Sequence, residues 1–159
     1  MYHGGTEIVE TPVCKFGRRN RDFGQGFYIT GLREQAVSWA RQTAKRRGLT
    51  PFLNRYRLNR EAILSEGRCK VFKAYDREWL AFIVASRRGE PVYDSYDYIE
   101  GGVADDRVVD TVNLYMLGLM DKATALQRLS KHQPNNQMCI IMQELADKYP
   151  VYDGAERIE

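Results

Sequence analysis

Very little in this chain of 159 residues is suited to cross-linking or metal binding, because it has three cysteines and two histidines. Cys14, Cys69 and Cys139 are far apart and odd in number, and none forms a Cys-x-x-Cys pair. That excludes a disulfide framework and suggests a reducing compartment. His3 and His132 have no close Cys or His partner, so a zinc site is not expected. The apolar run Leu80–Ala85, even with Trp79 before it, is far short of a membrane span. The first residues, Met1-Tyr2-His3-Gly4-Gly5, have neither a basic start nor an apolar core, so no signal peptide is visible. The expectation is a cytoplasmic protein with no metal and no membrane partner.

What is present describes a globular chain. Apolar residues make up 43% and charged residues 28%, enough for a folded core in one domain spanning residues 1–159. The net charge of +3 is unevenly spread. Residues 1–60 hold twelve Lys/Arg against four Asp/Glu, and the remainder holds twelve against seventeen. A strongly basic first third points to an anionic ligand or a nucleic acid.

The pattern of elements is mixed. Short extended pieces are expected at Tyr2–Gly4 and Glu7–Val9, followed by a basic, glycine-rich loop from Lys15 to Gly26 and a strand at Phe27–Thr30. Thr30 is expected to cap an amphipathic helix over Arg33–Arg47, with Ala36, Trp39, Ala40 and Ala44 on its buried stripe and Gly48 as its stop. Strands are expected at Pro51–Leu58 and Cys69–Tyr75. Asp76 is expected to cap a second helix with Trp79, Leu80, Ile83 and Val84 facing the core and Gly89 at its end, and Tyr93–Ile99 is expected to be extended. Helices are expected at Asp105–Leu117 and Asp121–Leu129, a strand at Gln137–Met142, a helical turn at Glu144–Lys148 and a closing strand at Val151–Ile158. Without regular strand–helix alternation the class is α+β.

Some short motifs mislead. Asp22-Phe23-Gly24 matches a kinase tripeptide, but the rest of the kinase set is missing. Gly24-x-Gly26 lacks a third glycine and leads into a strand, so it is not a dinucleotide fingerprint.

Three segments in order carry chemistry. They are Tyr2-His3-Gly4-Gly5, then Gly24-Gln25-Gly26-Phe27-Tyr28-Ile29-Thr30 with Gln35-Ala36-x-x-Trp39, and last Asn135-Asn136-Gln137. This order resembles the ADP-ribosyltransferase superfamily, in its diphtheria-toxin-like and poly(ADP-ribose)-polymerase-like branch. More narrowly, with Val103-Ala104-Asp105-Asp106 added, the chain resembles a bacterial family described as domain of unknown function 3990.

The resemblance implies two small, mostly antiparallel sheets flanked by helices, with NAD bound as substrate in the cleft between them. It implies that His3 hydrogen-bonds a ribose hydroxyl, that the Gly4 backbone holds the nicotinamide carboxamide, and that Tyr28 stacks on the nicotinamide ring after Gly26-Phe27. Arg18, Arg19 and Arg21 precede that strand and suit the pyrophosphate or an anionic acceptor. Gln137 stands where such enzymes usually carry a glutamate, so it can hold the ribose but brings no negative charge. Three readings follow: transfer with Gln137 as orienting residue, an auxiliary carboxylate from Asp105, Asp106 or Glu144, or NAD binding without turnover.

Other residues have plain structural readings. Gln35 and Trp39 read as packing residues, Asp105-Asp106 as a helix start, and Lys45-Arg46-Arg47 as a solvated face. The expected function is mono-ADP-ribosyl transfer from NAD to an unknown protein or nucleic-acid acceptor, without a metal. The resemblance allows a bacterial toxin or anti-phage component held by an antitoxin or regulatory protein. The alternative is a catalytically silent module that binds NAD, ADP-ribose or nucleic acid.

Overall fold

Strand β1 (Tyr2–Gly5) and strand β2 (Phe27–Ile29) meet at a single backbone bridge between Tyr2 and Thr30, and there the two sheets of the molecule part. The computed structural model describes residues 1–104 and 108–159. One sheet has the order β1-β3-β7, with β3 at Phe52–Leu58 and β7 at Pro150–Arg157, all antiparallel. The other has the order β2-β6-β5-β4, with β4 at Cys69–Val71, β5 at Tyr98–Gly101 and β6 at Gln137–Ile140. Its pairings are antiparallel except β4 with β5. The helices are α1 (Arg33–Arg47), α2 (Arg60–Glu66), α3 (Arg77–Arg87), α4 (Val109–Met116), α5 (Lys122–Leu129) and α6 (Gln143–Lys148). This is the α+β class with two small sheets. No helix among the described residues is long and apolar enough to cross a membrane.

The alternating side chains of the four-stranded sheet divide the interior. Tyr28, Ile99 and Cys139 point into a core with Trp79, Leu80 and Ile83 of α3, Val112 of α4 and Leu129 of α5. Phe27, Ile29, Tyr98, Met138 and Ile140 point the other way, onto Tyr56 of β3, Ile63 of α2 and Leu145 of α6. β2 therefore sends Tyr28 and Phe27 to opposite sides of the sheet that carries the candidate site.

Small residues set the position of α1. Ala36, Val37, Ala40 and Ala44 are its buried residues. A methyl group added at Gly4 would lie 1.8 Å from the Ala36 carbonyl oxygen, so β1 rests almost backbone to backbone on the helix. Gly48, at φ 65°, ends α1 in the left-handed conformation and donates its N–H to Ala44. α3 starts as expected: the Asp76 side chain accepts the Trp79 N–H at 2.9 Å.

Several boundaries differ from the sequence expectation. Thr30 does not cap α1. Its hydroxyl meets the Asn136 carbonyl and the Gln35 amide, which commits it to the joint between β2, β6 and the helix. Trp39 leaves the buried stripe, and Val37 takes its place. Glu7–Val9 is a loop, because buried Asn54 of β3 satisfies its backbone, accepting from Val9 N–H (2.8 Å) and donating to the Glu7 carbonyl (3.0 Å). The expected Cys69–Tyr75 strand stops at Val71, and the first part of Tyr93–Ile99 is a short 3-10 turn, Val92–Ser95. α2 was not expected; Asn59 caps it by accepting the Ala62 N–H.

Asp22-Phe23-Gly24 has a structural role at each position. Asp22 pairs with Arg87 of α3 at 2.7 Å and accepts the Ala104 N–H at 2.9 Å. Phe23 is fully buried. Gly24, at φ 80°, lies where any side chain would collide with the Tyr93 ring.

Candidate functional site

Beyond the Tyr2–Thr30 bridge β1 and β2 splay apart and open a cleft of about 1520 Å³. The segment from His3 to Val13, the loop from Phe16 to Asp22, Gly26–Tyr28, one face of α1 and the start of β6 contribute to its walls.

His3 stands at the splay. Its Nδ1 lies 2.7 Å from the Tyr28 carbonyl oxygen. A carbonyl only accepts, so Nδ1 carries the proton, and Nε2 of the neutral ring is left as an acceptor. Its ring also packs on Phe27, with centroids 4.7 Å apart. Burial lowers the His3 pKa from its ordinary 6.5, with the nearby Arg21 charge acting in the same direction. The neutral tautomer is thus the state of the folded protein at neutral pH.

Tyr28 is held rigidly. Its hydroxyl donates to the Gly24 carbonyl (2.6 Å) and accepts the Phe23 N–H (3.2 Å). Burial raises its phenol pKa, so the ring stays neutral. The Arg21 guanidinium lies over the ring, 5.4 Å from its centroid. Gly26 is a glycine for packing reasons: a methyl group there would lie 2.5 Å from the Cys139 sulfur and 2.6 Å from the Ile140 carbonyl oxygen.

Gln137 opens β6 opposite Gly101 of β5 and lines the same cleft as His3 and Tyr28. It is 3% exposed, and its Oε1 is buried with no hydrogen-bond partner among the described residues. Folded proteins rarely leave a buried acceptor unsatisfied, and one that borders a cleft is placed to take a donor from a ligand. Among the described residues the other unsatisfied buried side-chain atom, Gln35 Nε2, belongs to a residue that does not line the cleft.

The structure brings further residues to the cleft that sequence reasoning set aside. Trp39, Gln42, Thr43, Arg46 and Arg47 form one stripe of α1 at helical spacing, and all five border the cleft. Trp39 is half-buried, with aromatic surface facing the opening. Glu7 and Glu10 line the cleft too. Sequence spacing alone could have shown the α1 stripe, but not which way it faces.

The expected residues divide as follows. His3, Gly4, Arg18, Arg21, Gly26, Phe27, Tyr28 and Gln137 line the cleft together. Arg19 is exposed outside its lining, and so is Glu144 on α6. Asp105 and Asp106 lie outside the described residues. Burial raises the thiol pKa of Cys14, to about 11, and that of Cys139, so neither is a thiolate nucleophile. No cluster of three or more His, Cys, Asp or Glu among the described residues is placed to hold a metal ion.

Comparison with known proteins adds one finding. Residues 1–149 match the model of a family described as "Protein of unknown function (DUF3990)". No curated protein and no solved structure matches the chain.

Proposed function

The chain belongs to the DUF3990 family, and from that premise we propose that it is a mono-ADP-ribosyltransferase that binds NAD in the cleft between its sheets. The observation that carries this reading is the buried, unpartnered Oε1 of Gln137 in the same cleft as His3. Both Gln137 Oε1 and His3 Nε2 are acceptors, so a ligand reaching both must present donors. The vicinal hydroxyls of a ribose meet that demand. The half-buried ring of Trp39 suits a flat, cationic nicotinamide ring, and the Tyr28 ring does so once the Arg21 guanidinium moves from its face to the pyrophosphate. Arg18 and Arg21 suit the pyrophosphate.

The chemistry then follows from binding and orientation. The ribose–nicotinamide C–N bond breaks, and its electron pair leaves with nicotinamide. An acceptor nitrogen or oxygen supplies the pair for the new bond to C1′ and loses a proton to solvent. The residues hold the ribose so that C1′ faces the acceptor. Gln137 gives the developing positive charge an amide dipole rather than a full charge. Loss of such electrostatic help is worth about 3 kcal/mol, or roughly a hundredfold in rate. The same neutral amide favours the second reading, an NAD-binding module that does not turn over.

Calorimetry with NAD, together with chromatography for released nicotinamide, tests the proposal. Binding with release supports transfer, and binding without release supports the silent module. Absence of both overturns the NAD reading. The toxin role is tested by expression in bacteria: wild type should slow growth, and His3→Ala should not.

A further inference from the structure

We propose, on the basis of the NAD reading above, that the α1 side of the cleft is a track for a single-stranded nucleic acid, and that this nucleic acid is the ADP-ribose acceptor. Charge favours such a track. Arg18, Arg21, Arg46, Arg47 and Arg87 border the cleft. Arg87 is neutralised by Asp22 at 2.7 Å. Arg46 and Arg47 have no ion-pair partner among the described residues. A pyrophosphate carries two negative charges, which Arg18 and Arg21 already match. Arg46 and Arg47 are surplus to NAD and await a further anion.

The cleft also has the room. At about 1520 Å³ the cleft exceeds the ~300–1,000 Å³ typical of a small-molecule pocket, so it can take a dinucleotide and part of an acceptor together. An exposed aromatic surface lies beside it. Phe16 borders the same cleft and is 86% exposed, with its ring outside the core. A flat apolar ring in a basic groove is a stacking platform for a base, and stacking on it does not depend on sequence. Beyond Trp39, the α1 stripe from Gln42 to Arg47 runs for about 8 Å, the length of roughly one nucleotide of extended strand. Glu7 and Glu10 also border the cleft and repel phosphate there, so the backbone follows the arginines and the bases face the carboxylates. In the transfer a base nitrogen gives its electron pair to C1′ and loses a proton to water, while nicotinamide leaves with the electrons of the broken bond.

The test is fluorescence anisotropy of fluorescein-labelled single-stranded DNA and RNA of about twelve nucleotides, titrated with the protein at several salt concentrations. Wild type should bind more weakly as salt rises. Arg46→Ala and Arg47→Ala should each weaken binding and flatten the log–log salt slope by about 0.7. Lys45→Ala removes the same charge from the same helix outside the cleft lining, and should change little. Phe16→Ala should cost on the order of tenfold with the slope unchanged. Equal effects of Lys45→Ala and Arg46→Ala would overturn the track. So would binding of polyglutamate that depends on Arg46 but not on Phe16. An equal loss of NAD affinity in Arg46→Ala would assign these arginines to NAD itself and also overturn the proposal. Incubation with NAD and the oligonucleotide should add one ADP-ribose mass to the strand. Nicotinamide release without a labelled strand rejects this acceptor and leaves the NAD reading intact, whereas absence of NAD binding rejects the NAD reading itself.

Discussion

Nδ1 of His3 donates to the carbonyl of Tyr28 at 2.7 Å, across the gap where β1 and β2 part. That bond fixes the tautomer, the ring orientation and the width of the splay together. It also gives the His3 ring two different edges, one tied to the sheet through Nδ1 and one left as an acceptor at Nε2.

A pH dependence follows from the burial of His3. Its pKa is lowered in the folded protein, mainly by burial, while in the unfolded chain it stays near 6.5. Between those two values the unfolded chain binds the extra proton. The contribution of neutral His3 to stability is therefore complete above about pH 6.5 and declines as the pH falls. Urea melts from about pH 7.5 to 5 should show this decline, and His3→Gln should flatten it. NAD affinity should fall in the same direction, because protonated Nε2 donates and no longer accepts. A slope that survives in His3→Gln would assign the dependence to another group.

Trp39 offers an optical readout. The chain has two tryptophans. Trp79 is fully buried and donates its indole N–H to the Gly102 carbonyl at 2.8 Å. Trp39 faces the cleft. NAD should therefore quench the emission of Trp39, and Trp39→Phe should remove most of the quench while leaving the melting temperature within a few degrees. Trp39→Ala should weaken NAD binding about tenfold, as expected for losing a cation–π contact of about 1 kcal/mol together with apolar contact. A quench that persists in Trp39→Phe would place the ligand elsewhere.

Gly4 separates packing from ligand approach. A methyl group there would overlap the Ala36 carbonyl, whereas at Gly31 the nearest atom is 3.4 Å away. Gly4→Ala should thus destabilise the fold by about 3 kcal/mol or more, and Gly31→Ala by under about 1 kcal/mol. Thermal melts without any ligand decide the matter. A Gly4→Ala protein with wild-type stability but lost NAD affinity would make the glycine a ligand contact rather than the seat of α1.

These contrasts show what the sequence could reveal. The helical period of Arg33–Arg47, its Gly48 stop and the Asp76 cap are local signals, and the structure has all three. The α+β class followed from the mixture of elements. Facing was not legible. Trp39 falls within one turn of the alanine stripe, and only the close approach of β1 over Ala36 and Ala40 turns it toward the cleft. Arg46 and Arg47 read as solvated charges for the same reason. The Glu7–Val9 loop was hidden because its partner, Asn54, lies more than forty residues away. α2 had a legible signal in its Asn59 cap, but the segment is short.

Gln137 gives the sharpest test of the site. Replacing it with glutamate puts a carboxylate where the amide is 3% exposed, beside an unsatisfied position. Burial disfavours the charged form, so the new carboxyl group should titrate above the ordinary glutamate range. Without ligand Gln137→Glu should be less stable than wild type at high pH, where the charge is buried unpaired, and closer to it at low pH. With NAD the charge gains a partner in the cation that forms as nicotinamide leaves. Release of nicotinamide should then match or exceed wild type, and it should rise with pH through the raised pKa of the carboxyl group. Gln137→Ala should lower NAD affinity at every pH, because it removes the acceptor without adding charge. A folded Gln137→Glu protein that binds NAD yet releases nicotinamide more slowly than wild type would show that the residue does not face the breaking bond. That result would move the reacting end of the ligand away from β6.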